Sequence, residues 1–374
     1  MARRALESFG TSVFTVYSQL ARRHDAINLG QGFPDFDGPT WIQDAARDAM
    51  RRGHNQYAPS PGATRLREAV AATTGYDAER EVTITSGATE AIAAALCGLL
   101  EPGDEVLTFE PFYDSYPACA AMNGATLKAV PLRAPAFTFD RDELERAFTE
   151  RTRLFLLNTP HNPTGRVFRE KELTDLLACC ARHDCIVVSD EVYEHLLFDG
   201  HRHVSPASLD RDRVVRISSA AKTFSLTGWK VGWACAPEPL SAAIRNAHQF
   251  LVFCAPAPLQ DAIACALEQA EERGYYDAFR SEYAERRAVL LDGLAAAGLA
   301  PIAPEGTYFA MADVRGWDWG DGDAFAQRLI EEVGVAAIPP GSFYEHEEHA
   351  AGLIRFAFCK QTPTIEAAVR RLTR

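Results

Sequence analysis

The chain has 374 residues, 47% of them hydrophobic and 24% charged, an ordinary balance for a globular protein in water. That length exceeds one simple core, so two domains, or one domain with an appendage, are expected. The 51 acidic residues outnumber the 38 basic ones for a net charge of −13, which speaks against nucleic acid or an anionic membrane as partner, since both demand a basic face.

No apolar run reaches membrane-spanning length, and the opening MARRALESFG lacks the apolar stretch of a secretory signal. The nine cysteines are odd in number and scattered, with no CxxC pair and no Cys/His metal spacing. Cys179 and Cys180 fall in a helical pattern and read as packing. A reducing, cytoplasmic compartment and no metal are expected.

In chain order, strands are predicted at Glu81–Thr85 (EVTIT) and Glu105–Glu110 (EVLTFE), with a helix over Thr89–Leu100 between them. A strand at Arg153–Asn158 (RLFLLN) and a helix over Glu170–His183 follow. Further strands are expected at Cys185–Ser189 (CIVVS) and Arg213–Ser218 (RVVRIS). Near-continuous apolar strands separated by helices imply an α/β fold, with a mainly parallel sheet covered on both faces. From about Pro237 the strand signal fades into helical patterns, including Glu282–Ala297. Short strands return near Thr307–Asp313 and Leu353–Cys359, which suggests a second, smaller α+β domain.

Ligands of open α/β sheets bind beyond the carboxyl ends of the strands, and polar residues gather there. EVTIT runs into Ser86, Gly87, Ala88 and Thr89 at a helix start, whose free N–H groups suit a phosphate; standing alone, such a tripeptide is an ordinary helix start. EVLTFE leads to Tyr113, either an aromatic plate or core. RLFLLN leads to Asn162 between two prolines, either a ligand amide or a rigid turn. CIVVS leads to Asp190 and Tyr193; a buried acid there serves as a structural carboxylate or holds a proton on a pyridinium nitrogen.

RVVRIS leads to Ser219 and Lys222. A lysine is usually solvated, but here Phe224 and Trp229 lie nearby, and desolvation lowers the pKa of an ammonium as a Schiff-base lysine requires. Arg355 sits in an alternating strand, LIRFAFCK, where either a substrate carboxylate or a structural ion pair answers its charge. Together these groups describe one cofactor and one substrate class.

The stretches INLGQGFPDF, NQYAPSPGATRLREAV, SGATEAI, PHNPTG, SDEVYEHL, SSAAKTFSLTGWKVGW, GTYF and LIRFAFCK resemble the class I/II aminotransferases of fold type I. These enzymes use pyridoxal 5′-phosphate (PLP). The branch of kynurenine, glutamine and methionine aminotransferases is the most similar, together with bacterial N-succinyldiaminopimelate aminotransferases. The likeness runs from about residue 11 to 360.

It implies that Lys222 carries the cofactor and shuttles the proton, that Asp190 pairs with the ring nitrogen, that Asn162 and Tyr193 bond the ring hydroxyl, and that Tyr113 stacks on the ring. Gly87, Ala88, Thr89, Ser219 and Lys230 would hold the phosphate, and Tyr57 would reach the phosphate of a neighbouring subunit in a homodimer. Arg355, Asn162 and Gly32 would bind the substrate α-carboxylate, with Phe14 covering the substrate and Phe253 lining the pocket of the partner.

The implied fold has a large domain over residues 43–280 with a mixed, mostly parallel seven-stranded sheet. A small α+β domain is formed by residues 1–42 and 281–374. The implied reaction is ping-pong transfer of an amino group between an amino acid and a 2-oxo acid, and the aromatic residues favour a large neutral, aromatic or thioether side chain. A PLP-dependent β-lyase acting on cysteine conjugates or cystathionine is the alternative, and a non-catalytic PLP-binding protein a remote one. A nicotinamide dehydrogenase is disfavoured because no GxGxxG follows a strand. Two departures from the family pattern are a short stretch between Ala69 and Val82, and Ala221 where glycine is common.

Overall fold

The computed structural model describes residues 4–7, 9–320 and 322–374. Its strands are β1 (Ile27–Asn28), β2 (Val82–Thr85), β3 (Glu105–Glu110), β4 (Thr126–Pro131), β5 (Thr152–Asn158) and β6 (Ile186–Asp190). They continue with β7 (Val214–Ser219), β8 (Gly232–Cys235), β9 (Ala300–Ile302), β10 (Phe309–Asp313), β11 (Val335–Ala336) and β12 (Leu353–Ala357). Seven form one sheet in the order β2-β8-β7-β6-β5-β3-β4. All neighbours are parallel except β8, which runs antiparallel to both β2 and β7.

The unbroken apolar run of β5 is explained by what covers it. Leu154 and Leu156 join a core with Ala91, Ile92 and Ala95 of helix Gly87–Leu99. Phe155 and Leu157 point the other way, to Leu173, Leu176 and Cys180 of helix Glu170–Arg182. Alternate residues serve opposite faces, and both faces are dry, so no polar alternation survives in the strand. Cys179 and Cys180 are indeed core residues.

Both chain ends share a further core, in which Tyr17 and Leu29 meet Leu290, Phe325, Ile354 and Phe356. There β1 pairs with β11 in parallel, and β10 lies antiparallel between β9 and β12.

Two strands of the main sheet escape the sequence reading. The edge strand β4 is only partly buried, so its apolar signal is weak, and β8 hides in the GWAC segment behind the lysine turn. The helix expected over Glu282–Ala297 begins earlier, at Tyr275, after Gly274 in a left-handed conformation (φ 62°). Its first turns carry Tyr275 and Phe279, poor helix formers that are stabilised by packing, Tyr275 lying 5.2 Å from the Phe224 ring. The short stretch before β2 closes tightly. Helix Thr64–Thr74 ends on Gly75 at φ 74°, and the Asp77 carboxylate accepts from the N–H groups of Glu79 and Arg80 at 2.9 and 2.8 Å.

Candidate active site

The carboxyl ends of β5, β6 and β7 deliver Asn158, Asp190 and Ser219 to one cavity of about 240 Å³. Register places them side by side, with Asn158 opposite Asp190 on neighbouring strands. Asn158 is a brace: its Nδ2 donates to the Asp190 carbonyl at 2.9 Å, and its Oδ1 accepts from the Asn162 N–H at 2.7 Å. The Asp190 carboxylate is buried and accepts from the Tyr116 hydroxyl at 2.7 Å. Burial pushes its pKa up to about 6, against the pull of the Tyr116 hydrogen bond. It has no ion pair with a basic side chain among the described residues, so a protonated ring nitrogen would supply the counter-charge it lacks.

Lys222 lies on the short helix Ala220–Thr223 directly after β7. Its Nζ donates to the Gly32 carbonyl at 3.2 Å and stands 5.8 and 5.5 Å from the ring centres of Tyr193 and Tyr308. Desolvation lowers its pKa to about 8, so an appreciable neutral fraction exists near physiological pH. That is the state a nucleophilic amine needs.

At the other end of the cavity, Gly87 opens helix Gly87–Leu99 at φ 75°. A Cβ on Gly87 would come within 3.2 Å of Lys230 Nζ, and one on Gly232 would strike the Gly87 carbonyl carbon at 2.7 Å. The helix start, the Lys230 ammonium and β8 are therefore pressed together, and only glycine permits it. First-turn N–H groups lack intrahelical partners, so with Lys230 they form a cradle suited to a phosphate. The residues present fit PLP: an anion cradle, a buried carboxylate and a desolvated amine line one cavity.

Arg355, on β12, is almost wholly buried. Its Nη2 donates to the Gly30 carbonyl at 2.8 Å and its Nη1 to Asn162 Oδ1 at 3.2 Å, while Nε has no partner. Three rings enclose it, with Cζ 4.1 Å from the centre of Phe309, 5.0 Å from Phe14 and 5.3 Å from Phe343. It makes no ion pair with any described residue, so the structural ion pair drops away. A buried guanidinium without a counter-ion is an anion site in waiting. Burial lowers its pKa to about 10, which still leaves it charged.

Of the residues expected from sequence, Phe14, Gly32, Gly87, Ala88, Thr89, Tyr113, Asn162, Asp190, Tyr193, Ser219, Lys222, Lys230 and Arg355 all line this cavity. Tyr57 and Phe253 do not. They lie on the surface, 83% and 47% exposed, with their rings in edge contact at 5.3 Å. Sequence reasoning missed Tyr116, Asn158 and Phe309. Asn158 ends a strand whose neighbour strands also end in polar groups, a signal that was available. Phe309 stands in the GTYF stretch that carries the resemblance but was assigned no role, and Tyr116 follows Tyr113 by three residues without one.

A family model described as aminotransferase class I and II matches residues 24–372. The methionine aminotransferase of Escherichia coli is 43% identical, over 98% of this chain and 96% of that protein. A kynurenine–oxoglutarate transaminase of Dictyostelium discoideum is 37% identical, over 96% and 93%. The solved structure of N-succinyldiaminopimelate aminotransferase from Mycobacterium tuberculosis superposes with a TM-score of 0.96 at 46% identity, covering 100% of this chain and 99% of that one.

Proposed function

Because the chain belongs to the class I and II aminotransferases, and is thus a PLP-dependent enzyme that moves an amino group between an amino acid and a 2-oxo acid, we propose that its donor has a large, neutral, aromatic or thioether side chain. One observation carries this reading. The cations lining the cavity among the described residues are Lys222, Lys230 and Arg355. Lys230 serves the phosphate cradle and Lys222 the chemistry, which leaves Arg355 alone for the α-carboxylate. No further cation among the described residues that line the cavity answers a distal carboxylate, while Phe14, Phe33 and Phe309 offer apolar walls. The names of the methionine and kynurenine relatives support this choice. Whole-length likeness to named aminotransferases leaves the β-lyase alternative unfavoured.

Bound PLP supplies an electron sink for the pair left at the substrate α-carbon. Lys222 Nζ would hold the cofactor at rest and, once displaced by the substrate amine, take the α-proton. Asp190 would keep the ring nitrogen protonated, with Tyr116 fixing the carboxylate. Asn162 and Tyr193 would bond the ring hydroxyl, and Tyr113 would cover the ring face. Gly87, Ala88, Thr89, Ser219 and Lys230 would bind the phosphate. Arg355, with Asn162 and Gly32, would orient the α-carboxylate, and the surrounding rings would exclude water. Donor product leaves before the acceptor binds, which makes the kinetics ping-pong.

The working unit in this proposal is a homodimer, in which Tyr57 reaches the phosphate and Phe253 the pocket of the partner subunit. A large domain over residues 43–280 would carry the cradle, and a small one over residues 1–42 and 281–374 would carry Arg355. A cytoplasmic location accords with nine unpaired cysteines. No helix among the described residues is long and apolar enough to cross a membrane.

The test is the absorbance of the purified holoenzyme during addition of single amino acids without acceptor. Methionine and aromatic amino acids should convert the cofactor to its amine form at least tenfold faster than aspartate or glutamate, the size of preference that about 1.4 kcal/mol of differential binding gives. Fastest conversion by aspartate or glutamate would overturn the substrate class.

A further inference from the structure

We infer that His248, a fully buried residue outside the cavity, is a positioning residue that sets the phosphate cradle through Glu90. The inference rests on reading the Gly87–Thr89 turn as that cradle. His248 lies on helix Glu238–Leu251, which runs against helix Gly87–Leu99 so closely that a Cβ on Gly98 would come within 2.5 Å of the Ala243 carbonyl oxygen. No part of the His248 side chain reaches solvent.

Each ring nitrogen faces an oxygen that only accepts. Nε2 lies 2.9 Å from the Ser60 carbonyl, and Nδ1 lies 3.1 and 3.2 Å from the two carboxylate oxygens of Glu90. The ring therefore bridges Ser60 and Glu90. It is anchored on the Ser60 carbonyl at one end and on the Glu90 carboxylate at the other.

Glu90 in turn accepts the Ser86 N–H at 2.9 Å. Ser86 is the residue before Gly87, and Glu90 sits in the first turn of the cradle helix. Glu90 thus ties the entry of the cradle to its first turn, and His248 holds Glu90 in place. The anchor itself is rigid. Pro61, next to Ser60, accepts the Ile84 N–H of β2 at 2.9 Å, and the Ala63 N–H donates to buried Gln260 at 2.7 Å. Loss of His248 would leave the Glu90 carboxylate and the Ser60 carbonyl short of a donor at depth. The cradle turn would then lose its lateral support while Asp190 and Lys222 stayed as they are.

That separation makes a test that a general loss of packing would not mimic. Full-length enzyme is freed of cofactor and titrated with PLP and with pyridoxal, which lacks the phosphate, following the absorbance of bound cofactor. In His248→Gln the preference for PLP over pyridoxal should fall roughly tenfold, as expected for one charged hydrogen bond acting at second hand, with pyridoxal affinity unchanged. Glu90→Gln reads the same contact from the other side, should shift the ratio the same way, and serves if His248→Gln does not fold. An unchanged ratio in a folded variant, or equal losses for both ligands, overturns the inference. Wild type and Lys230→Met are the controls. A wild type that does not prefer PLP sinks the cradle reading itself. A preference lost in Lys230→Met but kept in His248→Gln sinks only the role of His248.

Discussion

Asp190 and Lys222 face one cavity, and desolvation moves them toward each other, the carboxyl up to about 6 and the ammonium down to about 8. The lysine value gives a pH prediction. Only the neutral amine attacks a carbonyl, and its fraction grows about tenfold per pH unit below the pKa, then levels off. Reattachment of PLP to the cofactor-free enzyme should therefore accelerate with pH up to about 8 and flatten above it. A solvated lysine would keep accelerating toward about 10.4. Stopped-flow rates that still climb tenfold per unit above pH 9 would refute the burial account. Asp190 and Lys222 were legible from sequence because one ends an apolar strand and the other follows one by three residues. The role of Tyr116 was not, because it rests on the 2.7 Å bond the hydroxyl makes across 74 positions of chain.

Helix Tyr275–Ala296 shows what elements add beyond their own residues. Its Gly293 lies against helix Thr362–Leu372, where a Cβ would fall 2.2 Å from Val369 Cγ2. Gly293→Ala should destabilise the protein by about 1–3 kcal/mol despite the better helix propensity of alanine, because overpacking outweighs propensity here. Val369→Ala in the same chain should return most of that loss. Thermal unfolding of the two single variants and the double variant checks this, and additive losses would refute it. Read from sequence alone, Gly293 is an unremarkable flaw in a helix. Strands were easier, since β3, β5, β6 and β7 are near-continuous apolar runs that end in polar turns. The partly exposed edge strand β4 lacked that contrast.

At the scale of the whole molecule, the surface carries an unusual run. Phe250 and Leu251 end helix Glu238–Leu251 and Val252 and Phe253 follow it, with Phe250 87% exposed, and Tyr57 packs on Phe253. Monomers seldom leave large contiguous apolar patches in water, which accords with the proposed homodimer. Phe250→Glu should weaken self-association by at least tenfold and lower activity per chain in step with the monomer fraction, as burying an unpaired charge at an interface core is costly. Sedimentation with activity across a dilution series checks both. A dimer of unaltered strength would remove this patch from the interface.

Sequence alone determined the succession of β2, β3, β5, β6 and β7 along the chain and the polar residues that follow each, Asp190 and Lys222 among them. Those are local properties, since burial on two faces and the exit from a strand are written in adjacent residues. Tertiary structure decided the rest: the antiparallel course of β8 against the cradle, the ring enclosure of Arg355, and the meeting of His248 with Glu90. Each joins residues far apart in the chain, and no periodicity records a contact that exists only once the helices and the sheet have packed.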